Sequence, residues 1–208
     1  MPLQNRVTPS GEIITTPARG TLMGNRGILH NDKKQLGTSR WKHHSWVCCA
    51  LEFKGRRREL MSPGNYTELF FLDEATALAA GHRPCAECRR TRYNAFVGAW
   101  RKAFPGFEVT SAAIDKQLHG ARVRRDRSQV RFKTNLDSLP DGVLVILSGD
   151  PDTAWLVHGD SILRWSPSGY TERRTRPNGL EVTVLTPQPT IEIIRAGYVP
   201  EIHPTTNL

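Results

Sequence analysis

The sequence predicts an α+β protein: a zinc-centred module with a basic helix, followed by a β-rich C-terminal part. Three observations lead there. All four cysteines lie within 48–88, two of them as Cys85-x-x-Cys88. A helical stripe follows that pair directly, and from residue 139 onward short apolar runs alternate with Gly or Pro turns.

Residues 1–40 read as an irregular Gly/Arg-rich segment, because Gly11, Gly20, Gly24, Gly27, Gly37, Pro2, Pro9 and Pro17 interrupt any period. A strand is expected over 46–53, a turn at 62–65 and a second strand over 66–72. Asp73 is a natural N-cap for a short helix over 74–80, with Gly81 as its stop. Tyr93, Phe96, Val97 and Trp100 recur at i, i+3, i+4 and i+7, which makes an amphipathic helix with arginines off the apolar stripe. A basic connecting segment spans 105–136, with a helix expected around 112–119. The tail, 137–208, reads as β at 143–147, 153–157, 162–165, 182–185 and 191–194.

Charge is unevenly placed. Residues 1–136 carry 24 basic and 11 acidic side chains, whereas 137–208 carry 5 and 9. A basic segment of that size points to a polyanionic partner, nucleic acid first. The longest aliphatic run, 143–147, is far short of the roughly 20 residues that cross a bilayer. With no apolar core of a signal peptide at the start, the expected setting is the cytoplasm and no membrane partner is expected. In such a reducing compartment, clustered cysteines favour metal over disulfides.

Two thiolates at i and i+3 in a tight turn grip one ion from the same side, and a tetrahedral zinc needs two further N or S ligands. The nearest candidates are His43, His44, Cys48 and Cys49. The spacing of His44 and Cys48, with three residues between them, suits a loop-to-strand entry. Cys48 and Cys49 face opposite sides of any regular strand.

The segment from Phe71 to Cys88, FLDEATALAAGHRPCAEC, resembles the zinc-binding module of the Ada DNA-repair proteins, over roughly 41–104. In that module a strand and an Ala-rich helix precede a Gly-aromatic-Arg-Pro-Cys-x-x-Cys turn, and His44-x3-Cys48 occupies the spacing of its first ligand pair, so the resemblance implies the ligand set His44, Cys48, Cys85 and Cys88 around Zn2+. The resemblance implies the zinc fold and contact with DNA. It does not imply methyl transfer, because the family's nucleophilic cysteine is replaced here by His44, and an imidazole on zinc cannot take part in the same sulfur alkylation.

The residues expected to neutralise phosphates are Arg19 and Arg26 in the glycine-rich run, Arg56, Arg57 and Arg58 in the hairpin turn, Arg89, Arg90 and Arg92 after the Cys-x-x-Cys, and Arg122, Arg124 and Arg125. The expected function is zinc-stabilised nucleic-acid binding in repair or processing. The alternative is a metal-dependent hydrolase or nuclease built on Asp115, His119 and His43.

Overall fold

The protein is described from a computed structural model covering residues 1–55 and 59–207. It is α+β, with two six-stranded sheets. The first sheet is built from β1 (Gln4–Val7), β2 (Ile13–Thr15), β3 (Leu22–Asn25), β4 (Val47–Ala50), β5 (Leu69–Phe71) and β6 (Arg83–Pro84), in the order β2-β1-β5-β3-β4-β6. Three of these strands come from the segment expected to be irregular. The signal is missing locally because β1 finds its partner far along the chain, in parallel register Arg6↔Phe70, and β2 is only three residues long.

Next comes α1 (Glu74–Ala79), with the predicted cap. The Asp73 carboxylate accepts from the amide and the hydroxyl of Thr76 at 2.8 and 2.7 Å. All six residues of α1 are buried. Ala77 and its neighbour Ala80 pack on the first sheet, Ala75 and Ala79 pack against Leu144, Leu156 and Leu163, and Leu78 joins the helical cluster. Small side chains on two faces let both layers approach one helix closely. That is why an Ala-rich stretch sits at the centre of the molecule rather than on its surface.

α2 (Arg90–Ala103) buries the predicted face, with Phe96 and Trp100 fully covered. α3 (Ser111–Arg122) extends the expected helix by one turn. After it come β7 (Phe132–Asn135), β8 (Leu144–Leu147), β9 (Asp150–His158), β10 (Ser161–Ser166), β11 (Gly169–Thr175) and β12 (Glu181–Val184). They make an antiparallel sheet in the order β11-β10-β9-β8-β12-β7. The run at 191–194, expected as a strand, instead lies in α4 (Gln188–Arg195). Its isoleucines are β-branched, but Ile191 and Ile194 pack on the second sheet while Ile193 packs with α2 and α3, a split that suits a helix.

Two side chains tie the layers together. Gln129 Nε2 shares its two N–H groups among the carbonyls of Pro9, Ala79 and Leu185 at 3.0, 3.2 and 3.0 Å, touching the N-terminal hairpin, the end of α1 and the residue that follows β12. Besides capping α1, Asp73 accepts from the Tyr170 hydroxyl at 2.8 Å and from the His203 amide at 3.1 Å. Asp73→Ala therefore removes a cap and strands a buried phenol, and is expected to cost about 2–4 kcal/mol as measured by the urea midpoint. A loss below about 0.5 kcal/mol, the level of an ordinary surface change, contradicts that double role.

Candidate metal centre and cationic cavity

β4 and β6 run parallel in the register Val47↔Arg83 and Cys48↔Pro84. The Cys85 amide continues this ladder by donating to the Cys48 carbonyl at 2.9 Å. The pairing brings the strand beside the Cys-x-x-Cys turn, and strand alternation decides which thiol meets it. The Sγ atoms of Cys49, Cys85 and Cys88 lie within 4.8 Å of one another, and all three residues are half-buried. Sulfurs on a tetrahedral zinc at about 2.3 Å would stand about 3.8 Å apart, so this spacing fits one ion with little closure. The Glu87 amide donates to Cys85 Sγ at 3.4 Å. The Cys85 thiol is held down to about 5, first by the hydrogen bond from Cys49 and then, against burial, by backbone amides. Cys49 is pushed up by that same bond, and Cys88 is raised by burial. One thiolate is thus stabilised at the others' expense, an arrangement that a cation would relieve for all three.

Two of the expected ligands lie elsewhere. Cys48 is fully buried in the core of the first sheet, where its sulfur accepts from Arg89 Nη1 at 3.1 Å and burial pushes its thiol up to about 12. His44 stacks on His119 with ring centroids 3.9 Å apart. The zinc set His44, Cys48, Cys85 and Cys88 is accordingly corrected: among the described residues, the Cys-x-x-Cys pair is met by Cys49. The alternation of β4 explains the exchange, since one of two adjacent cysteines must face the core.

The arginines also divide. Arg89 is buried and paired with Glu74 at 2.9 Å and Glu201 at 2.5 Å. Arg92 reaches the same two carboxylates. Both charges are consumed internally, which corrects their assignment to phosphates. Arg19, Arg90 and Arg125 are exposed and stand apart from the cavity described next. Arg56, Arg57 and Arg58 lie outside the described residues. Asp115 is gripped by Arg83 through two 2.7 Å bonds, so it is not a free partner for His119.

Arg26, Arg122 and Arg124 do come together, around a cavity of about 690 Å3. It lies between the tip of the β1–β2 hairpin at Gly11, the loop at 38–41, and the turn that follows α3. Arg40, Arg127 and Arg131 also line it, giving six arginines against two acids, Glu12 and Asp126. Its aromatic wall is Trp41 and Trp46, whose rings lie 5.8 Å apart. Arg40, Trp41 and Trp46 carried no sequence signal as a group, since only the fold gathers them.

Arg26 leaves the end of β3 and Arg122 closes α3, where the helix dipole favours a cation. Their guanidinium carbons lie 4.1 and 3.9 Å from the Trp46 ring centroid. Gly81 makes room for this arrangement: its φ is +84°, and an added Cβ would come within 2.4 Å of Arg122 Cδ. Burial and then neighbouring cations push Arg26 down to about 9 and Arg122 down to about 8. The two cations in turn help burial hold His82 well below its usual value.

Compared with protein-family models, with curated proteins and with solved structures, the chain matches none. Among the described residues, no helix is long and apolar enough to cross a membrane.

Two outcomes are expected. Cys49→Ser and Cys85→Ser abolish the thiolate-to-metal charge-transfer band of cobalt-loaded protein, and Cys48→Ser keeps it; loss of the band in Cys48→Ser with its retention in Cys49→Ser would restore the other ligand set. His119, lowered to about 4 by burial, Arg122 and His44, binds a proton more readily when unfolded. Its contribution is therefore complete above pH 6.5 and is lost as pH falls toward 4. His119→Asn should flatten that part of the urea-midpoint profile, and an unchanged slope rejects the assignment.

Proposed function

We infer that the protein is a zinc-stabilised nucleic-acid-binding protein, acting on DNA before RNA, in repair or processing. The observation that carries this reading is the cavity wall, where six arginines and two tryptophans converge from three separate parts of the chain. Cationic side chains that track a backbone, with aromatic faces among them, are what a single strand requires. A duplex is read by an element that projects into its groove, whereas this surface is concave.

Zinc supports the reading as a structural ion. Cys49, Cys85 and Cys88 would hold it, and bound there it would lock β4 to the turn that opens α2. The likeness of residues 71–88 to the Ada zinc module, with its strand, Ala-rich helix and Cys-x-x-Cys turn, is further support for such a centre near DNA. The ligand shift to Cys49 departs from that module's spacing. The hydrolase alternative loses its carboxylate, because Asp115 is committed to Arg83.

Fluorescence anisotropy with a labelled single-stranded oligonucleotide tests the function. Engagement of about five phosphates gives a log–log salt slope of about −3.5 for a single strand, and Arg124→Gln with Arg131→Gln should flatten it by about 1.4. Absent binding, or affinity independent of salt, rejects the reading.

A further inference from the structure

Four arginines among the described residues are less than a tenth exposed: Arg26, Arg83, Arg89 and Arg122. Two of them have carboxylates, Arg83 from Asp115 and Arg89 from Glu74 and Glu201. The other two do not. Arg26 donates to the Gly11 carbonyl at 3.1 Å and to His82 Nε2 at 3.3 Å. Arg122 donates to the carbonyls of Gly81 and His44 at 2.8 and 2.6 Å, with His119 Nδ1 at 3.1 Å. Every one of these partners is neutral when the imidazoles are unprotonated. They fix the two guanidinium groups in place without carrying a compensating charge, and among the described residues Nη2 of Arg26 and Nε of Arg122 have no hydrogen-bond partner.

We propose that the Arg26–Arg122 pair is a binding site for a phosphomonoester dianion, supplied by the terminal phosphate of a nucleic-acid strand. The source of the phosphate rests on the nucleic-acid reading above, whereas the dianion site rests on the geometry alone. A buried cation without a counter-ion is strongly disfavoured, and this fold supplies a carboxylate to each of the other buried arginines. Here the counter-charge is the ligand's. A terminal phosphate carries about −1.5 to −2 at pH 7 and matches two guanidinium groups, whereas an internal diester offers a single charge. The site has room for it, since the cavity falls within the range of about 300–1,000 Å3 typical of small-ligand pockets. An added Cβ at Gly11, a cavity residue, would lie 3.8 Å from Arg26 Nη2, which places the unpartnered nitrogen at the cavity wall. Half-buried Trp41 offers a face for the terminal base, and exposed Arg124 and Arg131 meet the next phosphates. Of the two acids present, Asp126 is occupied by the Ser128 amide and hydroxyl at 2.9 and 2.6 Å.

The test compares a short oligothymidylate bearing hydroxyl ends, a 5′-phosphate or a 3′-phosphate, by anisotropy on the full chain, with adenosine monophosphate in a thermal-shift arm. One phosphorylated end is expected to bind at least about tenfold tighter than the hydroxyl form, the effect of a single charge-assisted bond. Arg26→Gln and Arg122→Gln should bring the phosphorylated and hydroxyl ends to equal affinity, whatever each variant costs strand binding as a whole; a preference that survives in both variants overturns the proposal. Should either variant fail to fold, the wild-type comparison still decides. Stabilisation by adenosine monophosphate without an end preference upholds the dianion site with a free nucleotide as the source. If no strand binds, the nucleic-acid reading falls, and the dianion site stands where adenosine monophosphate stabilises the protein and is overturned where it does not. Equal affinity for all three strands, with no stabilisation by adenosine monophosphate, overturns the proposal and leaves strand binding intact.

Discussion

Both sites hang on the short parallel ladder between β4 and β6. At one end the Arg83 amide donates to the Trp46 carbonyl at 3.1 Å, and at the other the Cys85 amide donates to the Cys48 carbonyl at 2.9 Å. The same few residues therefore set Trp46 under its two guanidinium groups and bring Cys49 to the Cys-x-x-Cys turn. A two-residue strand is weak by itself. It holds here because its own Arg83 and the preceding His82 are buried and the central helix α1 ends at Ala79, three residues before His82.

Much of this was legible in the sequence where the signal is local. Asp73 and Gly81 bracket α1 as capping chemistry requires, the stripe Tyr93–Phe96–Val97–Trp100 marks the buried face of α2, and Cys85-x-x-Cys88 announces a cluster of sulfurs. Illegible features depend on distant partners. β1 and β3 look like irregular chain until β5 pairs with both, some fifty to sixty residues later. The isoleucines of α4 have strand propensity but must serve two different neighbours. Cys48 and Cys49 are interchangeable as letters, and only the side on which the core lies separates them.

The arginines show the same limit in energetic form. A charge count treats Arg89, Arg92, Arg26 and Arg122 alike, yet the first two pair with Glu74 and Glu201 while the last two, among the described residues, hydrogen-bond carbonyls and imidazoles and lie over an indole. The decisive quantity is the location of the carboxylates, and tertiary structure alone sets it. Positive charge in the first two thirds of the chain is thus part scaffold and part exposed potential.

The carbonyls that grip Arg122 also bear on the order in which the chain folds. The guanidinium reaches back to His44 across 78 positions of sequence and to Gly81 across 41. Contacts of such separation pay their loop-closure entropy before they return anything. A chain emerging from the ribosome can assemble the N-terminal sheet and α1 while this corner is still open, and the mutual repulsion of the two arginines enters only when α3 docks. The cavity is accordingly a late product of folding, and the first part of the structure to be lost when α3 detaches.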